Sequence, residues 1–184
     1  TMNKTKDSNG FTILELLITV SITAIVVALA APSFTDVLDD NILLTQTNQF
    51  ATAINVARSE AVKRNSRVLI CKRAGNQCAT SNAANWEDGW IIFADDNDNN
   101  IVDTGEEISI LDPLRTNYTL RADSIDTNWL AFSASGKASS NIATIFTGIV
   151  FRLCSPDQDT TTARSLDMNA VGRTQISRGV TACP

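Results

Sequence analysis

Lys6-Asp7-Ser8-Asn9-Gly10-Phe11-Thr12-Ile13-Leu14-Glu15 is the stretch on which the reading of this chain turns. A short polar, basic leader ends at glycine and opens directly into an apolar run over residues 11–31. That run is built from Leu, Ile, Val, Ala, Phe, Ser and Thr, with Glu15 as its single charge. Its length matches the roughly 20 residues a helix needs to cross the hydrocarbon of a bilayer. A carboxylate in such a span costs several kcal/mol unless something pairs with it. An ordinary secretory signal would end at a small-x-small site, which Ala28-Leu29-Ala30-Ala31 imitates, but it gives no reason for Glu15. A plain single-pass anchor accounts for the length and leaves the carboxylate unexplained.

Gly10, Phe11 and Glu15, in this order and spacing, resemble the class III leader of type IV pilins and type II secretion pseudopilins. The resemblance implies cleavage by a prepilin peptidase after Gly10 and N-methylation of the new N-terminus, Phe11. It also implies that Glu15 pairs with the N-terminal amine of a neighbouring subunit during assembly. An ammonium is the kind of partner that a buried carboxylate requires. Lys4 and Lys6 precede the span and would keep that end cytoplasmic, leaving the bulk of the chain on the other side.

Composition agrees with an exported, tethered domain. The 184 residues are 43% hydrophobic, enough for an anchor and one globular domain, and none is histidine. Four cysteines, Cys71, Cys78, Cys154 and Cys183, lack the CxxC spacing of a zinc knuckle or a redox motif. They allow three connectivities, of which Cys71–Cys78 with Cys154–Cys183 is favoured because each bond then closes a local loop. The whole chain carries a net charge of −5. Without residues 1–10, which hold Lys4, Lys6 and Asp7, 13 basic and 19 acidic residues leave −6. A domain of that sign is repelled at long range by nucleic acid and by anionic lipid.

Beyond Pro32 the pattern becomes amphipathic. Phe34, Leu38, Ile42, Phe50, Ile54, Ala57 and Ala61 mark one helix face, with Asp and Asn filling much of the remainder. One helix running from residue 11 to residue 64 would be about 80 Å long at about 1.5 Å per residue. Pro32 should kink it or loosen a turn. Strand-like runs follow at 67–71, 90–93, 108–111, 129–132 and 149–153, separated by Asn, Asp, Ser, Gly and Pro clusters. Residues 166–169 and 174–177 flank a turn and predict a closing hairpin. The fold class is α+β, with an antiparallel sheet domain packed on the amphipathic half of a long N-terminal helix. The boundaries are a removed leader at 1–10, a transmembrane and assembly helix at 11–33, its amphipathic continuation at 34–65 and a β-rich domain at 66–184.

Three segments sharpen the resemblance to the GspH/FimT group of pilin-like proteins. They are Ala57-Arg58-Ser59-Glu60-Ala61-Val62-Lys63-Arg64-Asn65, Trp86-Glu87-Asp88-Gly89-Trp90-Ile91-Ile92-Phe93 and Val171-Gly172-Arg173. The resemblance implies an assembly subunit, not an enzyme. Its partners would be other minor and major pilins, the inner-membrane assembly platform and, before assembly, the bacterial inner membrane. Two cysteine pairs, one near the C-terminus, resemble FimU-like minor pilins, which help to prime or cap a type IV pilus that supports adhesion, twitching and DNA uptake. FimT-like DNA binding and GspH-like type II secretion are the alternatives. For the former, Gly172-Arg173-Thr174-Gln175 departs from a Gly-Arg-x-Arg motif, and Arg173, Arg178 and Arg164 are the residues that would meet DNA.

No cofactor is expected, with one candidate to weigh. Asp95, Asn97, Asn99, Asp103 and Glu106 follow the spacing of an EF-hand Ca²⁺ loop. Asn100 stands where that loop needs glycine, and the flanks read as strands, so a solvated hairpin turn is the competing expectation.

Overall fold

The computed structural model describes residues 10–81, 84–123, 127–141 and 146–183; at 29–34 and 36 only the backbone is described. Thr12 opens the long helix α1 (Ile13–Arg64), because its Oγ1 accepts the Glu15 backbone N–H at 3.1 Å. Thr12-Ile13-Leu14-Glu15 thus has the spacing of a capping box, and Glu15 lies in the first turn, where the helix dipole favours an anion. The following aliphatic side chains are exposed on every side of the helix, from Leu16 at 58% to Val27 at 60%. The hydroxyls of Thr19, Ser21 and Thr23 donate to the carbonyls of Leu16, Leu17 and Thr19. They therefore need no water, which suits an apolar surrounding. Among the described residues no helix is long and apolar enough to cross a membrane; the described side chains of this run stop at Ala28. The leader residues Lys4 and Lys6 and the side chain of Pro32 lie outside the described set.

The chain divides into two units, Thr1–Asp39 and Asp40–Pro184. Within the second, α1 buries Leu43, Phe50, Ile54, Ala57 and Ala61. This stripe differs from the expected one at its start, because Leu38 is 45% exposed and Leu43 is fully buried. The turn between Leu43 and Phe50 is filled by buried Gln46 and Thr47, which hide the stripe in the sequence. Thr47 is tolerated there because its hydroxyl donates to the Leu43 carbonyl at 2.7 Å. Asn65 ends the helix in the left-handed region (φ 53°), and the Ser66 N–H reaches back to the Ala61 carbonyl.

Among the described residues ten strands follow: β1 (Val68–Ala74), β2 (Gln77–Cys78), β3 (Trp90–Ala94), β4 (Glu107–Leu111), β5 (Thr119–Ala122), β6 (Trp129–Phe132), β7 (Ala138–Ser140), β8 (Gly148–Cys154), β9 (Arg164–Asn169) and β10 (Thr174–Arg178). They form two antiparallel sheets, one in the order β4-β3-β1-β6-β7 with β2 paired to β1, the other β10-β9-β8-β5. In the first sheet, Val68, Ile70, Ile92 and Leu130 face the main core with α1, while Leu69, Cys71, Ile91, Phe93 and Ala131 form a second, smaller core. Burial on both faces explains the unbroken apolar runs of β1 and β3.

Phe50 joins the layers. Its ring meets Trp86 at 5.4 Å, Trp90 at 4.9 Å and Phe151 at 4.8 Å, each edge to face. Trp90 belongs to the first sheet, Phe151 to the second, and Trp86 to the single 3-10 turn before β3. Phe50→Ala should destabilise the domain by about 3–5 kcal/mol through the cavity it leaves among three aromatic rings. Thermal unfolding followed by circular dichroism measures this, with a large drop in Tm as the expected result.

Candidate assembly site

The three motif segments resolve into two packing devices. The first is the tryptophan turn. Gly89 between Trp86 and Trp90 has φ 99°, and a Cβ there would lie 2.5 Å from the Leu111 carbonyl oxygen. Only glycine lets this turn pass that close to the end of β4. The second device centres on Arg58 near the end of α1. Its Nε donates to the Gly136 carbonyl at 3.3 Å, and its Cδ would lie 3.2 Å from a Cβ on Gly172, whose nearest neighbour would be Phe132 at 2.7 Å. Arg58 thus touches both the β6–β7 and the β9–β10 turns. The Ala138 N–H, at the start of β7, donates to the Ala170 carbonyl and ties those turns together.

At the opposite ends of β9 and β10 a second clamp holds α1. Asp40 accepts from Arg164 at 2.6 Å and lies 3.5 Å from Arg178. Arg164 is buried and also donates to the Thr162 carbonyl at 2.6 Å. The structure therefore does not gather the three arginines expected to meet DNA. Arg164 and Arg178 are directly paired across the two strands and share Asp40, whereas Arg173 is exposed in the turn after β9. Nothing in the sequence marked Arg164 as buried, since its partner lies on α1.

The acidic loop between β3 and β4 closes on itself. Arg67 pairs with Asp95, whose carboxylate is fully buried, and it also donates to Asn100 at 2.6 Å and stacks over Trp129 at 5.2 Å. Asp95 accepts the Asn99 N–H as well, at 3.0 Å. Asn97 and Asn99 both turn their amide N–H groups toward Asp103, each at 2.9 Å. Asn100 takes the left-handed conformation (φ 59°) at the place where glycine was wanted. A Ca²⁺ site needs these oxygens aimed at one point. Here Asp95 is satisfied by a guanidinium and two of the asparagines offer donors, so the residues do not fit the ion. Glu106 instead accepts the Asp96 and Asp103 N–H groups. Among the described residues no group of three His, Cys, Asp or Glu could hold a metal.

Cys71 is bonded to Cys78, joining β1 to β2, and Cys154 at the end of β8 is bonded to Cys183. Phe11 is 78% exposed and Gly10 is open.

With this geometry in place, the family model described as type II transport protein GspH matches residues 46–172. The chain belongs to the GspH family. A second model, the prokaryotic N-terminal methylation motif, matches residues 5–31. The GspH-family fold seen here is similar to that of the type IV minor pilin FimU of Pseudomonas aeruginosa. One FimU structure aligns with a TM-score of 0.58 at 20% identity, covering 78% of this chain and 96% of FimU. Another crystal form gives 0.52 at 22% identity, covering 77% and 100%. At these identities the likeness is one of fold. No match was found among curated proteins.

The helix clamp makes two unequal predictions. Asp40→Ala should cost about 3 kcal/mol, because it strands the buried Arg164 guanidinium. Arg178→Ala should cost under about 1 kcal/mol, since that side chain is largely exposed. Chemical denaturation of the two variants distinguishes them.

The loop supplies a pH test. Hydrogen bonds from Asn97 and then Asn99 hold the Asp103 carboxyl below its ordinary value of 3.8. Its stabilising contribution is therefore present above that value and lost as pH falls through the lower folded value. Asn97→Ala should raise the Asp103 titration midpoint toward 3.8, as read by carboxyl-carbon NMR.

Proposed function

We propose that this GspH-family chain is a minor subunit of a type IV pilus, FimU-like in role, that helps to prime or cap the fibre. The supporting observation is an apolar helix whose described aliphatic side chains over residues 11–28 are exposed on every side, in a chain that also holds a disulfide-stapled β domain. Such a helix requires lipid or other helices as its surrounding. Lys4 and Lys6 orient the precursor in the inner membrane, the prepilin peptidase cuts after Gly10, and Phe11 becomes the methylated N-terminus. Glu15 then docks against the N-terminal amine of a neighbouring pilin as the assembly platform lifts the subunit from the bilayer. The capping arrangement at Thr12 supports this, since it leaves the Glu15 carboxylate at the helix start, next to where that amine arrives. The role is structural, and the domain face sets which major and minor pilins sit beside it. Through the pilus it serves adhesion, twitching motility and DNA uptake.

A second reading, a minor pseudopilin of a type II secretion system, is favoured by the description of the matching family model. Sheared pili and secreted enzymes of a strain lacking the chain separate the two. Direct DNA binding has less support, because Arg164 is buried and two of the three arginines are already paired to Asp40.

Glu15→Ala should leave the domain folded and reduce incorporation into sheared fibres at least tenfold, measured by quantitative immunoblot beside the membrane pool. Intact mass of wild-type subunit from the same fibres should correspond to a methylated N-terminus at Phe11 and two disulfides. Wild-type incorporation of the variant would overturn the docking role of Glu15, and absence of the wild-type subunit from fibres, or a start elsewhere, would overturn the proposal.

A further inference from the structure

The face of the first sheet that points away from α1 is apolar, although a sheet packed on one side usually turns polar residues outward. Leu69, Cys71, Ile91, Phe93 and Ala131 are each at most 1% exposed there. Among the described residues, Cys78, Val102, Ile110 and Trp129 are the partly buried hydrophobic side chains packed over them. Two of these four come from segments with little hold of their own. Cys78 belongs to β2, a strand of two residues that pairs with β1 only at Arg73–Cys78 and Ala74–Gln77. A hairpin that short is marginal without a further tie. Val102 belongs to the acidic loop between β3 and β4, where Ile101 and Asp103 on either side of it are exposed.

Gln77 joins the two segments. Its side-chain amide donates to the Val102 carbonyl at 2.9 Å, and its side-chain oxygen accepts the Val102 N–H at 3.1 Å. One side chain thus satisfies both backbone groups of Val102, as a neighbouring strand would. The side-chain hydrogen bonds of Ile101 and Asp103 come from within the loop, from Asn97, Asn99 and Glu106. Arg67 holds the loop elsewhere, at Asp95 and Asn100. The position of Gln77 is set in turn by its neighbour Cys78, which is bonded to Cys71 seven residues earlier. A single line of dependence therefore runs from the Cys71–Cys78 bond through β2 and Gln77 to Val102.

We propose that the Cys71–Cys78 bond is a redox latch on the cover of this second core. Closed, it holds β2 and Val102 over Ile91 and Phe93; open, it releases β2 and residues 101–103 and bares that apolar face. Access favours one of the two sulfurs. Cys71 is fully buried, whereas Cys78 is half-buried and lines a surface cavity of about 540 Å³ together with Arg73, Gly75, Thr80 and Asp88. A small dithiol can reach the Cys78 Sγ by that route. Its thiolate attacks Cys78 Sγ, the S–S bond breaks, and Cys71 leaves and takes up a proton. The second thiol of the reductant then displaces Cys78, so that two protein thiols and a cyclic disulfide result. A disulfide oxidant runs the same exchange in reverse, which closes the latch in an oxidising compartment. The Cys154–Cys183 bond cannot stand in for it, because it ties the chain end to β8 of the other sheet. The latch uses the domain alone and does not depend on the proposed fibre role.

Amide hydrogen exchange of the full, detergent-solubilised chain, resolved to single residues, tests the latch. In Cys71→Ser with Cys78→Ser, the Val102 N–H should exchange at least about tenfold faster than in wild type. So should the Ala79 N–H, which donates to the Lys72 carbonyl across the β1–β2 hairpin. The amides of Asn99 and Asn100, which donate to Asp95, and those of β8–β10 should keep their wild-type rates. Gln77→Ala, with both disulfides intact, should free Val102 to the same extent and leave Ala79 protected. Wild-type protection of Val102 in the cysteine variant, or acceleration spread evenly over both sheets, would overturn the inference. Should that variant not fold, Gln77→Ala decides, since unchanged protection at Val102 would break the link from β2 to the loop. Dithiothreitol added to folded wild type supplies the redox reading. Exchange at Val102 should rise in step with alkylation of Cys78, and a bond that stays closed until the whole domain unfolds would sink the latch.

Discussion

The edge-to-face contacts of Phe50 with Trp86, Trp90 and Phe151 are the constraint on which the domain depends. Neither sheet alone could form this core. The first offers Trp90 and Ile92, the second Phe151 and Leu153, and α1 supplies the column Leu43, Phe50, Ile54 and Ala57 between them. The taper of that column matters. A bulky Phe50 sits where the aromatic rings meet, and alanines at 53, 57 and 61 let the backbone of α1 approach closely farther along. Arg58 then locks the turns at one end of the sheets, and Asp40 locks the strand ends at the other. The helix is thus fixed at three heights by an aromatic cluster, a guanidinium and a carboxylate.

The two polar anchors differ in kind. Arg58 works through shape, because glycines at 136 and 172 allow the turns to close over its stem, and it donates to a carbonyl instead of an acid. Asp40 works through charge, with one carboxylate answering a buried and an exposed arginine. A buried guanidinium tolerates few alternatives to its partner. Arg164 therefore fixes where along α1 the second sheet docks. The cost is that this arginine is withdrawn from any surface chemistry.

The parts of this fold legible in the sequence are those whose signal is local. The apolar run and the glycine–phenylalanine–glutamate leader are read from adjacent residues, and β1, β3, β6 and β8 announce themselves as aliphatic or aromatic runs. The strands β5 (Thr119-Leu120-Arg121-Ala122) and β7 (Ala138-Ser139-Ser140) do not, because they are short and polar and owe their place to neighbours in the sheet. Spacing suggested a calcium loop at 95–106, yet the deciding residue was Arg67, nearly thirty positions earlier, which supplies the positive charge itself. Likewise the division of Arg164, Arg173 and Arg178 into buried, exposed and paired depends on Asp40, far away in sequence. The Thr12–Glu15 cap was readable from its spacing, but it is overshadowed by the stronger question of a charge in an apolar run.

Glu15 bears on an energetic problem set by the apolar run that follows it. Moving an apolar helix from lipid into a bundle of apolar helices exchanges surroundings of similar polarity, so the hydrophobic effect supplies little net drive. Discrimination between the right neighbour and the wrong one must then come from polar groups that are costly to leave unpaired. Within residues 11–28 only Glu15 is charged, and Thr19, Ser21 and Thr23 are closed on their own backbone. A carboxylate at the start would accept only a partner of matching chemistry, while the aliphatic surface after it stays indifferent. On the proposed role, the apolar surface permits assembly and Glu15 sets where along its neighbour the subunit is placed.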